Sequence, residues 1–293
     1  MEYFETNWAS LPWSPWVPFS ADKHDFRQIP HKPGLYRIRP IGKDFLMYIG
    51  ETQRTVHKRL NELRHNIKKT DLMPWNAPHT AAPSLWAWKD AEGFEYECSA
   101  SPLDTSMSGR RGMECFLLYR YRQERGESTL CNFGRFHKRY RKSTDRKKRN
   151  GDPGIRGGKL DTSNKDNPAG GLCHPPLPDV GKPGSADWMG LQWNTIERLE
   201  KKYTRSIQQK QGLYILMDSI SHEIVYVGES ENCSKRLSDH SQKSWDDRDL
   251  FFSYHILETP VLPHQLKELE NDLIGNYFEK YRKAPEYQFR NRK

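Results

Sequence analysis

The sequence has no apolar run approaching the 20 or so residues that cross a bilayer, and its opening stretch, MEYFETNWAS, shows no basic segment followed by an apolar one. Neither a membrane-spanning helix nor a secretory signal is therefore expected. Cysteine is scarce: Cys98, Cys115, Cys131, Cys173 and Cys233 are odd in number and never closely paired. That spacing argues against a disulfide framework and a zinc knuckle, and fits reduced thiols in a cytoplasm. Acid is in deficit, with 38 Asp and Glu against 47 Lys and Arg, a formal net charge of +9. The excess predicts attraction to a polyanion and is silent about fold. A chain of 293 residues with 35% hydrophobic content is long enough for two domains, each with its own core.

What the chain does have is repetition. GLYRIRPIGKDFLMYIGETQRTVHKRL begins at Gly34, and GLYILMDSISHEIVYVGESENCSKRL begins at Gly212. In each, two short apolar-aromatic runs flank a polar turn, which reads as a hairpin, and an amphipathic helix follows. Two later helical patterns, MECFLLYRYRQE and LKELENDLIGNYFEKYR, each hold one acid in an apolar setting, Glu114 and Glu270. The reading is an α+β fold made twice, a short antiparallel sheet flanked by helices. Between the copies, RFHKRYRKSTDRKKRN and the Gly- and Pro-rich stretch after it carry no apolar periodicity. They read as a basic linker. The expected division is 1–137, 138–187 and 188–293, with regular structure resuming as a helix carrying Trp193, Ile196 and Leu199 on one face. The Trp-rich NWASLPWSPWVPF is expected to pack over the first domain; an aromatic wedge into DNA is the other reading.

Tyr36 and Tyr48 are twelve positions apart, as are Tyr214 and Tyr226. An even separation across a hairpin brings two phenols to one face, and the glycine after each second tyrosine opens room for a phosphate backbone. Arg236 and His240, four apart, share a helix face. Taken singly, each of these is an ordinary core or surface residue; the ordered set written twice points to chemistry. Arginine offers a planar charged fork to phosphate. One glutamate suffices to hold a hydrated Mg²⁺. A tyrosine beside both becomes a usable base, with histidine to relay its proton.

In GLY…YIG at 34–50 and GLY…YVG at 212–228 the chain resembles the GIY-YIG nuclease family, and the two resemblances cover most of it outside the linker. The resemblance implies a site of Tyr214, Tyr226, Arg236, His240, Glu270 and Asn291 in the second copy. In the first it implies Tyr36, Tyr48, Arg59, Glu114 and Asn132, with Glu114 and Glu270 binding Mg²⁺ or Mn²⁺. Leu63 stands where the second copy has His240, and His65 reads as a solvated helix residue. Glu51 and Glu229 occupy positions where many family members carry lysine. The implied activity is metal-dependent endonuclease cleavage of double-stranded DNA by two sites in one chain, a pseudo-dimer suited to cutting both strands, in a role such as defence against foreign DNA. Lys58, Lys138, Arg139, Arg141, Lys142, Arg146, Lys147, Lys148, Arg149 and Lys235 are the expected phosphate contacts. Three readings stay open beside it: a nicking or repair nuclease whose first domain only grips DNA, a non-catalytic nucleic-acid binder, and an RNA-directed enzyme.

Overall fold

Apolar and aromatic residues in the Gly34 and Gly212 segments pair into two antiparallel hairpins, and each grows into a four-stranded sheet. The computed structural model describes residues 1–68, 72–74, 77, 81–141, 157–160 and 167–290. The described elements form an α+β chain with six α-helices, none long and apolar enough to cross a membrane. The chain divides into two compact units, Met1–Ser106 with Ser128–Cys173, and Met107–Glu127 with His174–Lys293.

In the first unit β1 (Val17–Pro18), β2 (Gly34–Pro40), β3 (Tyr48–Thr52) and β4 (Tyr96–Pro102) lie in the order β1-β4-β2-β3, all antiparallel. Helices α1 (Val56–Ile67) and α2 (Ala82–Glu92) place Val56, Leu60, Leu63 and Leu85 in one core with Tyr36, Ile38 and Cys98. Thr55 caps α1 by accepting the Lys58 N–H at 3.3 Å. A short ribbon, β5 (Tyr140–Arg141) with β6 (Gly158–Lys159), completes the described part of this unit.

The second unit contains α3 (Met107–Arg125), β7 (Glu197–Arg198), α4 (Lys201–Thr204), β8 (Gly212–Asp218), β9 (Ile224–Ser230), α5 (Cys233–His240), β10 (Leu250–Ile256) and α6 (Pro263–Tyr281). Its sheet runs β7-β10-β8-β9, the same order as the first. Asn232 caps α5 as Thr55 caps α1, accepting the Lys235 N–H at 3.0 Å. Helices α3 and α6 pack antiparallel: Gly112 lies against Phe278, Tyr119 against Gly275, and Arg122 against Asp272 and Glu268.

The units cross the expected boundaries in two places. Helix α3, with Glu114, belongs to the second unit and not to a domain ending at 137. Residues 174–187 are no linker, because α6 buries two carboxylates that need donors. Arg122 meets Asp272 through two bonds of 2.7 and 3.0 Å, and all three of Arg122, Glu268 and Asp272 are fully buried. The backbone N–H groups of His174 and Leu177 then reach Glu268 at 2.7 Å and Asp272 at 3.0 Å. A Pro-rich segment, unable to make a helix or ladder of its own, has amides to spare for this purpose. Of the linker's basic run, residues 142–156 lie outside the described residues.

The expected helix around Trp193 is instead extended chain, with Ile196 exposed and β7 pairing with β10. The reason is a tight strap before each sheet. Trp13 donates its indole N–H to the Trp8 carbonyl at 3.0 Å, and Trp193 does the same to Trp188 at 3.0 Å. Ala9 and Met189 both sit in the left-handed region, at φ 54 and 57. The Ser14 N–H then binds the Ala100 carbonyl at 2.8 Å, and that of Asn194 binds Tyr254 at 2.9 Å, so each strap enters its sheet at the corresponding position. Trp8 and Trp13 are buried, which sets the wedge reading aside. The duplicated unit therefore starts well upstream of the glycine–tyrosine motifs.

Arg122→Met is expected to lower unfolding stability by about 3–5 kcal/mol, because it strands two buried carboxylates. Burial already pushes the Asp272 carboxyl up, and the Arg122 guanidinium opposes it. Adding Asp272→Asn should restore part of the loss in urea denaturation; a single variant as stable as the parent would show that the network carries no net charge stabilisation.

Candidate active site

The cross-strand register decides which side chains can meet. Tyr214 lies opposite Gly228 and Leu216 opposite Tyr226; Tyr36 lies opposite Gly50 and Ile38 opposite Tyr48. The two phenol rings of each copy therefore stack on one face, with centroids 6.1 Å apart in the second unit and 6.0 Å in the first. A Cβ on Gly50 would fall 2.6 Å from the Tyr36 hydroxyl, and one on Gly228 would collide with the Tyr214 ring. The glycine thus makes room for the facing tyrosine, and not for a phosphate backbone as the sequence suggested.

In the second unit α5 brings Arg236 and His240 to these rings. Arg236 Nε donates to the Tyr214 hydroxyl at 3.3 Å and also bonds Tyr226. His240, fully buried, places Nε2 at 2.9 Å from the Tyr214 hydroxyl. Trp245 stacks on the imidazole with centroids 5.4 Å apart and donates its N–H to the His240 carbonyl at 2.9 Å. The Lys243 ammonium stands 3.1 Å from His240 Nδ1. An ammonium has only hydrogens to give, so Nδ1 accepts and Nε2 carries the ring proton toward Tyr214. The Tyr214 oxygen then receives two donors, from His240 and Arg236, and its own hydrogen is left to face elsewhere. Once that hydrogen departs, the same donors stabilise the phenolate.

Burial, and then the neighbouring Tyr226, push the Tyr214 phenol well above the usual tyrosine range, while Arg236 opposes them. Burial also works against the charge of Arg236, but its bond to Tyr214 and the nearby phenols outweigh that and raise it. Glu270, on α6, completes the cluster. Burial and the adjacent Glu229 carboxylate push its carboxyl up to about 8, against the Glu229 N–H, Lys267 and Arg236. Burial raises Glu229 as well, with Lys267 and Arg236 opposing. No cation of the described residues forms an ion pair with Glu270. A half-buried carboxylate beside a second one, with no side-chain cation in contact, is a donor set that suits a hard divalent ion.

The first unit repeats the frame with different chemistry. Arg59 is half-buried, and its Nε has no hydrogen-bond partner among the described residues. Leu63, fully buried, takes the place of His240. His65 is exposed and turns its Nδ1 to the Asn61 carbonyl at 2.6 Å, away from the tyrosines. Glu114 and Glu270 both act on the half-buried Cys115 thiol, which burial and then these two acids push up. On the antiparallel pair α3–α6 the two carboxylates are offset by roughly 10 Å along the axis, from 1.5 Å per residue.

The terminal amides act on backbone. Asn132 accepts the Ile49 N–H at 3.0 Å and donates to the Ile49 carbonyl at 2.8 Å, clamping β3 between Tyr48 and Gly50. In the second unit Gln288 makes the same pair of bonds to Val227, at 2.9 and 2.9 Å. The residue before each amide also matches: Cys131 N–H binds Met47, and Tyr287 N–H binds Val225, both at 2.8 Å. Gln288, missed in the sequence, is therefore the counterpart of Asn132, and Asn291 lies outside the described residues. Both amides hold a strand in place. Of the expected phosphate contacts, Lys58, Lys138, Arg139, Arg141 and Lys235 are exposed. Arg139 is partly committed, donating to Ala91 and Glu92 at 3.0 Å each. Lys142, Arg146, Lys147, Lys148 and Arg149 lie outside the described residues. All five cysteines are free thiols.

Two measurements probe this cluster directly. Nitrogen NMR of labelled histidine should find His240 protonated at Nε2 and not Nδ1, with Lys243→Met shifting the population toward the other tautomer; a protonated Nδ1 in the parent would refute the arrangement. In metal-free protein Glu270 should titrate near 8. A carboxyl raised in the fold keeps its proton while the unfolded chain ionises, so this group removes stability as pH rises from about 4.5 to 8. Glu270→Gln should flatten that part of the stability profile. Compared with protein families, with curated proteins and with solved structures, the chain finds no match in any of the three.

Proposed function

We propose that this protein is a divalent-cation-dependent endonuclease that hydrolyses DNA phosphodiesters, with a GIY-YIG-like arrangement in each half. The observation that carries the reading is the Tyr214 hydroxyl held between Arg236 and His240, next to Glu270. Glu270 would hold Mg²⁺ or Mn²⁺, with Glu114 at the matching place on α3, and the cation supplies positive charge for a phosphate oxygen. Arg236 presents the remaining nitrogens of its guanidinium to the same phosphate and meets the charge that builds up as water attacks. Tyr214 first loses its hydroxyl proton to solvent, its phenolate held by the donated hydrogens of Arg236 and His240, and then takes the proton of the attacking water and returns to the neutral phenol. Tyr226 shares Arg236 and packs against His240 at 5.4 Å, which keeps both oriented. Lys58 and Lys235, at equivalent positions on α1 and α5, suit non-sequence-specific contacts to the backbone.

Two such sites in one chain suit the two strands of a duplex, since fusion makes the pairing intramolecular. Defence against foreign DNA is a fitting role for such an enzyme. A second reading has its own support: Leu63 stands where the second copy has His240, so the first copy has no imidazole at that position and would grip DNA while the second copy nicks it.

Supercoiled plasmid with Mg²⁺ separates these outcomes. Glu270→Ala and Tyr214→Phe should each reduce cleavage by 10²-fold or more, on the order of general-base and metal-ligand losses. If both copies cut, Glu114→Ala should convert linear product into nicked circles; if only the second cuts, Glu114→Ala should leave nicking untouched. Binding without Mg²⁺-dependent cleavage at any protein concentration would overturn the nuclease assignment, and cleavage of RNA but not DNA would reassign the substrate.

A further inference from the structure

We propose that the outer face of α1 in the first unit carries a phosphate-binding cavity, distinct from the tyrosine cluster. A cavity of about 380 Å³ opens between α1 and the short turn Asp25–Gln28. Lys23, Arg27, His31, His57, Arg64 and His65 line it, and no aspartate or glutamate does. None of these six forms an ion pair among the described residues. The nearest acids are engaged elsewhere: the Asp22 carboxylate accepts the Asp25 N–H at 2.9 Å, and Asp25 pairs with His24 at 3.5 Å.

The cavity is built and not merely a charged surface. Phe26, only 1% exposed, forms its floor. The Arg64 guanidinium lies 3.9 Å from the Phe26 ring centre and is held by Asn61 Oδ1 at 2.9 Å and the Ala21 carbonyl at 2.8 Å. That leaves its second terminal nitrogen, Nη2, to a ligand. His31 and His57 stack with centroids 4.0 Å apart and planes 20° apart, and the edge of Phe26 meets His57 at 5.6 Å. Two imidazoles this close repel each other when both are charged, and three permanent cations nearby add to that repulsion. Burial, then His31 and Arg64, already hold His57 below the usual histidine range. An anion relieves all of these costs together: it pairs with the lysine and arginines and lets the imidazoles take up protons. A phosphate, with several acceptor oxygens, matches this crowd of donors better than a single carboxylate.

The second copy does not repeat this lining: Ser234, Ser238, Ser241 and Gln242 replace His57, Asn61, Arg64 and His65. The first copy has thus placed leucine on the inner face of its helix and a basic, imidazole-rich pocket on the outer one. Assigning the phosphate to a nucleic-acid chain rests on the nuclease reading; the anion site itself does not.

The test uses the full chain without divalent cations, so that nothing is cut, and follows histidine C2–H signals and fluorescence anisotropy. Inorganic phosphate should shift the His31 and His57 signals and raise the pH at which His57 titrates. A short duplex should do the same, and comparing duplexes with and without a 5′-phosphate tells a terminal from an internal phosphate. Exchanging exposed Lys23 and Arg27 for Gln together should weaken duplex binding several-fold and reduce the salt slope by about two. Histidine signals unmoved by both phosphate and duplex overturn the site. Signals moved by inorganic phosphate, with duplex affinity unchanged in the double variant, keep the anion site but reject a polynucleotide source. A wild-type chain that binds phosphate here yet never cuts DNA would sink the nuclease reading alone.

Discussion

Each half of this protein depends on a tyrosine ring lying across a glycine on the neighbouring strand. Tyr36 covers Gly50 and Tyr214 covers Gly228, and any side chain at either glycine would occupy the ring's space. This contact sets more than a packing detail. A slip of one residue would send both phenols to the opposite face. The tyrosine pair of each half follows from that one register, and in the second unit so does its meeting with Arg236. The amide clamps reinforce it from outside, with Asn132 and Gln288 each bonding both backbone groups of the residue between the second tyrosine and the glycine.

Around this frame, several buried polar groups meet specific partners. The α6 carboxylates recruit Arg122 and two backbone amides from a segment rich in proline. Trp13 and Trp193 close matching straps on the carbonyls of Trp8 and Trp188. Below the first strap Arg37 is fully buried, bonded to the carbonyls of Tyr3 and Glu5 and 4.3 Å from the Trp13 ring centre; Ile215 holds the matching place in the second copy. The duplicated scaffold tolerates such exchanges because each copy satisfies its own buried groups locally.

The copies have diverged in chemistry more than in frame. Sheet order, helix caps, straps and clamps correspond, whereas the group one turn after the helix arginine is histidine in one and leucine in the other. His240 is what turns the second tyrosine pair into a charged network, through Lys243 on one side and Tyr214 on the other. The first copy's α1 carries its histidines outward instead, around the cavity over Phe26. One helix position, Leu63 against His240, therefore separates the two tyrosine clusters.

By itself the sequence determined the α+β class, the repeated hairpin with its following helix, the pairing of Tyr214 with Tyr226 on one face and that of Arg236 with His240 on another. These rest on local periodicity and fixed spacing, which a chain expresses in its residue order; that the two pairs meet in one cluster was implied by the resemblance. The paired tryptophans, five apart in both Trp8–Trp13 and Trp188–Trp193, were equally legible and went unread because the repeat was anchored on the glycine–tyrosine motifs. Only the tertiary structure decided that α3 joins the second unit, that residues 174–187 serve buried carboxylates, and that Gln288 does what Asn132 does. The last two depend on hydrogen bonds between residues far apart in the chain, made to backbone atoms that every residue possesses, and the first on side chains of α3 and α6 that meet only in the fold. Such bonds leave no mark on residue type, so Asn and Gln at different offsets can share one role.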